Sequence, residues 1–506
     1  DALKNNYTMD ATVYDKGEIT RRRINPDGFQ VLRKQSDGTY QAESISKTYD
    51  GTSTYTLPDG AYLRTPTVTP TPSDKTGIIE QDKDKIRFRL ASNTHGTFQD
   101  EHGTETTHVS EAKKVAYKVV AYGVEGTAET DAPLRNYTFG TVAEETGGTL
   151  KDLENLKEGK PAAVTADGSI TPAKIQATTH AVEKVYDGTA EHRDKNREIV
   201  TGDAVVTFTG WTSDSDKRTN ASTATYADKN VAYSGTNVTT KNVTYTAQLT
   251  GPYADDYQIV NGSNAVISTS PSGSGATKTV TANLGMVANA GTITPRALTI
   301  NMGEVSKTYD GTSLNEKASK VSSITDVPKT SVIGAILSSD SITEGALQTT
   351  WDNLRTNGDT TSSYGSLTSN GFETNPNASN GKKHDVLYRK MGEAFRNVAG
   401  SAAGNYTVAE DVYGQGTIDR FAINPNNFDV VDGNGHASKA TKVYDGTDDY
   451  TVPSGWRLRP STGTRTGVIA TDADQITFLI NPTKGAHFTK SDNTTRTANV
   501  ADAKRV

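Results

Sequence analysis

Short runs of alternating apolar and polar residues recur along the chain. In one run Val243, Tyr245, Ala247 and Leu249 are separated by single polar residues, and residues 86–90 alternate in the same way. A period of two is typical of strands with one buried face. Asp-Gly and Asn-Gly pairs between such runs favour tight turns. The pattern predicts an all-β chain of tandem Ig-like β-sandwich modules in an elongated array, with β-grasp-like modules as the alternative.

Three segments depart from this alternation. Leu150, Leu153 and Leu156 fall at helical spacing, which predicts one short helix over residues 150–156. Residues 271–275 and 358–371 are rich in glycine and serine. We expect both of these segments to form loops.

Four short signatures recur in a constant order. The hexapeptide Lys-x-Tyr-Asp-Gly-Thr begins at Lys47, Lys184, Lys307 and Lys442. Gly-x-Ile segments precede the four copies, at Gly17, Gly168, Gly291 and Gly416. Each of these follows an Asn-Tyr or Asp-Tyr pair, at Asn6, Asn136, Asp256 and Asn405. A lone aspartate before a strand is expected to be the fourth signature, at Asp84, Asp203, Asp340 and Asp474. Joint recurrence of four signatures indicates a repeat protein.

The signatures divide the chain into modules. Residues 1–23 are predicted to be the terminal strands of a preceding module. They are followed by module 1 (24–172), module 2 (173–295), module 3 (296–420) and module 4 (421–506). Module 4 closely resembles the first part of module 1 and stops before an Asn-Tyr or Gly-x-Ile segment of its own.

The two ends of the chain therefore look like complementary parts of one module. One interpretation is that the chain is a window from a longer continuous repeat array. The other is head-to-tail assembly, in which residues 1–23 of one chain complete module 4 of the next by adding strands to it. The sequence leaves both interpretations open.

Composition narrows the possible functions. The hydrophobic fraction is 33%, which fits several small cores better than one large core. There is no cysteine, so disulfides and thiolate chemistry are excluded. The net charge of -7 is spread along the chain and does not indicate nucleic-acid binding. No run of apolar residues is long enough to predict a membrane span.

The hexapeptide is expected to be structural. Each tyrosine would bury its ring in the module core, and Asp-Gly would form a turn in which glycine supplies a positive φ. The lysine lies on the same strand face as the tyrosine, because side chains alternate. The residues concerned are Tyr49, Asp50, Gly51, Tyr186, Asp187, Gly188, Tyr309, Asp310, Gly311, Tyr444, Asp445 and Gly446.

A sharper hypothesis for the same lysines is an intramolecular isopeptide bond. That chemistry needs a buried neutral amine, an Asn or Asp acceptor and a protonated carboxyl group nearby. Lys184 with Asp256, or Lys307 with Asn405, would tie an early strand to a late one. In these pairs Asp203 or Asp340 would be the acid.

Metal binding and catalysis have weaker signals. The acid pairs Asp82 with Asp84 and Asp472 with Asp474 could bind calcium, but neither has a full calcium loop. His95, His102 and His108 lie close in sequence without a recognised zinc spacing. No nucleophile elbow, phosphate loop or dinucleotide fingerprint occurs. We expect no cofactor and no enzymatic activity.

The hexapeptide, the Asn-Tyr strand and the Gly-x-Ile-Thr-Pro segment resemble the YDG and MBG repeat modules of large bacterial adhesins and filamentous-haemagglutinin-like surface proteins. The resemblance covers nearly the whole chain. It implies secretion, display on a bacterial cell surface and a stalk or repeat-array role, with neighbouring modules as partners. A ligand-binding adhesin region that contacts host glycan or protein is the alternative. Asp256 and the Asp419-Arg420 pair depart from the repeat pattern.

Overall fold

A computed structural model describes residues 12, 14–68, 75–123, 133–212, 218–316, 320–326, 336–425, 428–460, 468–473, 475–481 and 484–506. These residues form mostly β-strands with few helices, which confirms the predicted all-β class. Asn6 and Asp474 lie outside the described residues, as do most of residues 1–13. No helix in the described ranges is long and apolar enough to cross a membrane.

Module 1 has the largest sheet. Its elements are β1 (Arg22–Ile24), β2 (Gln30–Lys34), β3 (Tyr40–Glu43), β4 (Ile45–Thr48), β5 (Thr54–Tyr55), β6 (Ala61–Arg64), β7 (Thr67–Val68), β8 (Ile78–Ile79), β9 (Ile86–Leu90), β10 (Gly96–Gln99), β11 (Lys114–Gly123), β12 (Tyr137–Phe139), α1 (Val142–Thr146), β13 (Lys151–Asp152) and β14 (Ala162–Thr171). Nine of these strands form one sheet, and β1, β12 and β13 form another.

Module 2 is built from strands and single 3-10 turns. The strands are β15 (Ala173–Thr179), β16 (Val182–Val185), β17 (Val206–Thr209), β18 (Thr219–Asn220), β19 (Thr223–Tyr226), β20 (Tyr233–Ser234), β21 (Asn237–Val238), β22 (Lys241–Thr250), β23 (Tyr257–Val260) and β24 (Thr279–Thr294). They form a sheet of β17, β15 and β23, a sheet of β16, β24, β22, β18 and β19, and a small hairpin.

Module 3 adds two helices. Its elements are β25 (Arg296–Met302), β26 (Val305–Thr308), β27 (Val321–Asp326), α2 (Glu344–Thr356), β28 (Ser362–Thr368), β29 (Gly371–Thr374), β30 (His384–Tyr388), α3 (Met391–Arg396), β31 (Tyr406–Thr407) and β32 (Val412–Asp419). The strands form one sheet of β27, β25 and β31 and a second of β26, β32, β30, β28 and β29.

Module 4 has fewer strands among its described residues. They are β33 (Phe428–Val431), β34 (Asp449–Tyr450), β35 (Arg457–Pro460), β36 (Phe478–Leu479) and β37 (Ala486–His487). They form a sheet of β33, β35 and β36 and a pair of β34 with β37.

Modules 1 to 3 share one set of strand pairings. The hexapeptide strand (β4, β16 or β26) pairs parallel with the Gly-x-Ile strand (β14, β24 or β32). That strand pairs antiparallel with β11, β22 or β30. The first strand pairs parallel with the Asn-Tyr strand. The register is constant: the motif lysine lies opposite the isoleucine, as Lys47 with Ile170, Lys184 with Ile293 and Lys307 with Ile418.

The alternating segments fold as predicted. Val243, Tyr245, Ala247 and Leu249 lie in β22 and are fully buried, whereas the residues between them are at least partly exposed. β9 likewise occupies residues 86–90. The two-residue alternation therefore predicted correctly which side chains of β22 are buried.

Two local predictions were wrong. Residues 150–156 form strand β13 and a single 3-10 turn, because Leu153 and Leu156 pack into the core without a continuous helix. Residues 358–371 contain strand β28, which pairs with β30, so they are not simply a loop. The helix α2 was not predicted at all, and it buries Leu347 and Trp351.

Candidate functional site at the joints between modules

The Lys-x-Tyr-Asp-Gly-Thr hexapeptide closes on itself. In module 2 the Nζ of Lys184 donates to Asp187 Oδ1 at 2.6 Å, to the carbonyl of Thr189 at 2.7 Å and to the carbonyl of Glu191 at 2.8 Å. Asp187 Oδ1 also accepts from the backbone N–H of Thr189 at 2.9 Å. The lysine thus clamps the turn that follows the tyrosine.

The same clamp is present in the other three copies. Lys47, Lys307 and Lys442 each bond the aspartate three residues later, at 2.7 to 2.8 Å. The glycine after that aspartate has a positive φ in every copy, as predicted, at Gly51, Gly188, Gly311 and Gly446. The repeated sequence therefore encodes one repeated turn.

Burial shifts the pKa values of the lysine and aspartate in this turn. The side chains of Lys184 and Asp187 are 1% and 5% exposed, so the pair is almost fully shielded from solvent. Burial outweighs the contact with Asp187 and lowers the pKa of the Lys184 amine. At Asp310 partial burial favours the neutral acid, but the bonds from Lys307 and Thr312 outweigh it and hold the pKa of the carboxyl below its ordinary value.

The tyrosine of the hexapeptide faces the following module rather than only its own core. The hydroxyl of Tyr186, in module 2, donates to Asp340 Oδ2 in module 3 at 2.9 Å. Tyr406 donates to the same oxygen at 2.7 Å, and the two rings meet edge to face at 5.5 Å. Burial, and then the bond to Asp340, raise the pKa of both phenols. We call this contact joint 2–3.

Joint 3–4 has the same form. The hydroxyl of Tyr309 donates to Asp472 Oδ2 at 2.6 Å, and this bond raises the pKa of Tyr309 to about 12. The motif glycines also pack across these joints. A Cβ on Gly188 would lie 2.4 Å from Leu337 Cδ1, and one on Gly311 would lie 2.9 Å from Thr471 Oγ1.

At joint 1–2 the motif tyrosine contacts a guanidinium group instead of a carboxylate. The hydroxyl of Tyr49 accepts from Arg218 Nη2 at 3.2 Å, and its ring meets that of Tyr257 edge to face at 5.3 Å. The Arg218 guanidinium lies over the Tyr257 ring, 4.1 Å from its centroid. The aromatic pair is therefore conserved in geometry between joints 1–2 and 2–3, while its polar partner changes.

Tyr444 is the most exposed of the four motif tyrosines. Tyr49 and Tyr186 are 2% and 0% exposed and Tyr309 is half-buried, whereas Tyr444 is 64% exposed. A Cβ on Gly446 would meet nothing within 4 Å. The prediction that each tyrosine buries its ring is therefore wrong for Tyr444, which the described residues of module 4 leave exposed.

The residue before the Asn-Tyr tyrosine forms a second contact across joints 1–2 and 2–3. Asn405 Oδ1, in module 3, accepts from the backbone N–H of Val231, in module 2, at 2.8 Å. Asp256 Oδ1 accepts from Val109 N–H at 2.7 Å in the same way, across joint 1–2. The equivalent Asn136 is exposed. An aspartate can therefore replace the asparagine, since the contact needs only an acceptor.

Asp256 also carries an ion pair that asparagine could not make. Its other oxygen lies 2.7 Å from His108 Nδ1 and 3.4 Å from Arg218 Nη2. The His108 ring stacks on Tyr253 at 3.3 Å. The departure from the repeat pattern at Asp256 thus coincides with an imidazole and a guanidinium partner at joint 1–2.

The acid that contacts a tyrosine lies two residues before the predicted lone aspartate in modules 1 and 4. Asp82, and not Asp84, accepts from Tyr137 Oη at 2.8 Å, and Asp84 is exposed. In module 4 the acid at the joint is Asp472, and Asp474 lies outside the described residues. The 3-10 turns Glu80–Asp82 and Ala470–Asp472 determine which acid points inward.

Asp203 precedes β17 as predicted, but its described contact is with an asparagine rather than with a tyrosine. It is exposed and accepts from Asn220 Nδ2 at 2.8 Å. In module 2 the Thr212 N–H donates to the hydroxyl of Tyr257, and in module 3 the Leu337 N–H donates to the hydroxyl of Tyr406. Thr212 and Leu337 are therefore equivalent positions in the two modules. Asp340 lies three residues after Leu337, whereas three residues after Thr212 the sequence has Ser215.

The predicted isopeptide partners lie in different contacts. Lys184 and Lys307 bond their own turns, through Asp187 and Asp310. Asp256 contacts His108 and Val109, and Asn405 contacts Val231. The structure brings Asp340 to two tyrosines. The described contacts therefore give the isopeptide hypothesis no support.

The predicted metal ligands are not brought together in the described ranges. Asp82 lies against Tyr137 and Lys85, and of the three histidines His95 and His102 are exposed while His108 lies at joint 1–2. A different group, Asp448, Asp449 and His487, has ligand atoms within 4.8 Å of one another. His487 already lies 2.8 Å from Asp449 in that group.

Comparisons of the chain with protein-family models, with curated proteins and with solved structures give no match.

Proposed function

We propose that the chain is a structural stalk region of a bacterial cell-surface adhesin or extracellular fibre, in which each module fixes the orientation of the next. Its partners are the neighbouring modules, and it carries no catalytic role. The ordered signatures that resemble YDG and MBG repeats support the extracellular, surface-displayed setting.

The observation that carries the proposal is the contrast between Tyr186 and Tyr444. Tyr186 is 0% exposed in its contact with module 3, whereas Tyr444, in the same turn, is 64% exposed. A buried hydroxyl needs its partner, so the bond to Asp340 is directional as well as stabilising. Repeated directional contacts favour a set spacing between modules.

Short linkers support the same function. β14 ends at Thr171 and β15 begins at Ala173, and β24 ends at Thr294 and β25 begins at Arg296. A single proline stands in each gap, Pro172 and Pro295. Proline fixes its own φ, so these connections allow little bending. A binding region that must adapt to ligands would favour longer, freer connections.

Small-angle X-ray scattering of the whole chain at low concentration tests the stalk. We expect a single rigid extended particle to fit the data. Tyr186→Ala should introduce bending between modules 2 and 3, whereas the matched control Tyr444→Ala should scatter like the wild type. Wild-type data that require a broad ensemble of module orientations would contradict the proposal.

The surface setting needs a separate test in the source cell. Protease added outside intact cells should release fragments of the chain. Full protection in intact cells, with cleavage only after lysis, would exclude surface display.

A further inference from the structure

His192 is a buried histidine of module 2, and it occupies the position eight residues after the motif lysine Lys184. It is 8% exposed, and within the described residues its Nδ1 has no hydrogen-bond partner. The other modules have Tyr55, Asn315 and Tyr450 at this position. None of those three side chains changes its charge between about pH 5 and pH 8. Module 2 alone therefore has a side chain there that can gain a charge in this range.

The backbone holds the His192 ring in its buried place. The His192 N–H donates to the Ala224 carbonyl of β19 at 3.0 Å, and the His192 carbonyl accepts from the Val200 N–H at 3.0 Å. Both backbone groups of the residue are therefore bonded. For the ring to become fully hydrated, residues 190–200, which we call the His192 segment, would have to leave β19.

A cation already lies against the aromatic ring that His192 contacts. The Nζ of Lys184, in β16, is 5.5 Å from the centroid of the Tyr226 ring, and the His192 ring centroid is 6.3 Å from it. Burial, and then the charge of Lys184, lower the pKa of the His192 imidazole. Asp187 acts in the opposite direction with a smaller effect, and its Oδ1 already accepts from Lys184 at 2.6 Å. A proton on His192 would place a second cation in a site that already holds one.

The charged side chains on the His192 segment itself have other contacts. A Glu191 carboxylate oxygen lies 3.8 Å from Arg193 Nε, and both residues alternate with His192 and so lie on the other face of the strand. The Nη2 of Arg197 donates to the Asp187 carbonyl at 3.4 Å. In the described part of module 2, no carboxylate bonds the His192 ring.

The His192 segment also supports the turn that carries Tyr186. The Nζ of Lys184 donates to the carbonyl of Glu191, the residue before His192, at 2.8 Å. Release of the segment removes this acceptor from the lysine that holds the turn closed. Tyr186 lies in the same turn, and it is the residue that bonds Asp340 across joint 2–3.

We propose that His192 is an acid-sensitive switch for joint 2–3. On protonation of the ring, the His192 segment leaves β19 and the turn that positions Tyr186 loosens. The inference rests on the proposed stalk function, because it assigns a regulation to one of the joints that set the stalk's geometry.

The direction of the switch follows from the two protonation equilibria. The pKa of the imidazole is 6.5 in the unfolded chain and lower in the folded chain, so the open form binds the proton more tightly. The closed segment is fully stable above about pH 6.5, and this stability is lost as the pH falls below that value.

Hydrogen–deuterium exchange of the whole chain measures the opening, at pH values about one unit above and about one unit below 6.5. After correction for the intrinsic exchange rate, we expect the opening constant of residues 184–200 to rise by up to about tenfold at the lower pH, since one proton is bound on opening. His192→Asn introduces the residue that module 3 has at this position and should remove the rise. The matched control His180→Asn replaces an exposed histidine of the same module and should keep it.

The unmodified chain gives a second test that does not depend on how a variant folds. Exchange at the imidazole C2–H of His192 follows its ionisation, and the midpoint should lie below pH 6.5. A midpoint at or above that value, unchanged protection of residues 184–200, or an equal rise in His192→Asn would overturn the proposal. Opening confined to the His192 segment, with the Tyr186 amide still protected, would also overturn it. Scattering at neutral pH tests the stalk function separately, since the switch is then closed.

Discussion

Tyr186 donates its hydroxyl proton to Asp340, a residue 154 positions later in the chain, and the bond is 2.9 Å long and fully buried. Tyr406, the Asn-Tyr tyrosine of module 3, shares the same carboxylate. Two signatures that are distant in sequence therefore meet at one acid. This explains why the signatures recur together: they form the two sides of a joint.

Removal of the Tyr186 hydroxyl should weaken joint 2–3 without disturbing packing. Tyr186→Phe keeps the ring and deletes one bond to a carboxylate, which costs about 1.5–3 kcal/mol of the free energy of unfolding. Urea denaturation measures this loss. The control Tyr444→Phe should change stability by less than about 0.5 kcal/mol, because that ring is exposed. Equal effects of the two substitutions would show that the joint contributes nothing.

High pH should loosen joint 3–4 over a defined range. The pKa of Tyr309 is about 12 in the folded chain and 10 in the unfolded chain, because the neutral phenol donates to Asp472. The stabilisation is therefore complete below pH 10 and is lost as the pH rises through about 12. Tyrosinate absorbance should show late ionisation of this group, and Tyr309→Phe should lower the amplitude of the late step by the contribution of one tyrosine. Ionisation of all tyrosines near pH 10 would contradict the joint.

We expect the lysine–aspartate contact to contribute most to the free energy of unfolding where both side chains are buried. Lys184→Met leaves the buried carboxylate of Asp187 without its cation, and we expect a loss of about 3–5 kcal/mol. Lys442→Met alters the same turn, but there Asp445 is 56% exposed, so the loss should be at most about 1 kcal/mol. Thermal unfolding of the two variants checks the difference, and similar losses would rule out burial as the cause.

Asp256 should tolerate asparagine better than alanine. Asp256→Asn keeps an acceptor for the Val109 N–H, the role that Asn405 has in joint 2–3, and loses only the carboxylate charge beside His108 and Arg218. Asp256→Ala loses both and should cost about 3–5 kcal/mol, clearly more than the asparagine variant. The denaturation midpoints of the two Asp256 variants test which one is more stable. If the asparagine variant is the less stable one, the ion pair rather than the N–H contact holds joint 1–2.

The turn and the buried faces could be predicted from sequence because they are local. The Asp-Gly pair predicted the positive φ of Gly188, and alternation predicted the buried face of β22. Alternation also placed Lys184 and Tyr186 on one face. It could not tell which surface covers Tyr186, since that surface belongs to residues far along the chain.

The acid of the joint was ambiguous for a different reason. Asp82 and Asp84 alternate with Lys83 and Lys85, so the sequence alone offers two equivalent candidates. A 3-10 turn, whose formation depends on the neighbouring strand, turns Asp82 toward Tyr137. No periodic signal in the sequence reports such a turn.

Helix α2 could have been found. Thr343 caps it by accepting from Ala346 N–H, and Leu347 and Trp351 follow at a spacing of one helical turn. The glycine- and serine-rich residues 358–371 after it favoured a loop, and the repeat pattern favoured strands. The capping residue Thr343 indicates the helix correctly, whereas the loop and repeat patterns do not.

A double-mutant cycle between Tyr186 and Asp340 tests the central claim most directly. Tyr186→Phe, Asp340→Ala and the double variant are compared by urea denaturation, with Tyr444→Phe and Asp340→Ala as a distant control pair. We expect a coupling energy of about 1–3 kcal/mol for the first pair and additivity for the second. If the first pair is also additive to within about 0.5 kcal/mol, the tyrosine does not couple module 2 to module 3.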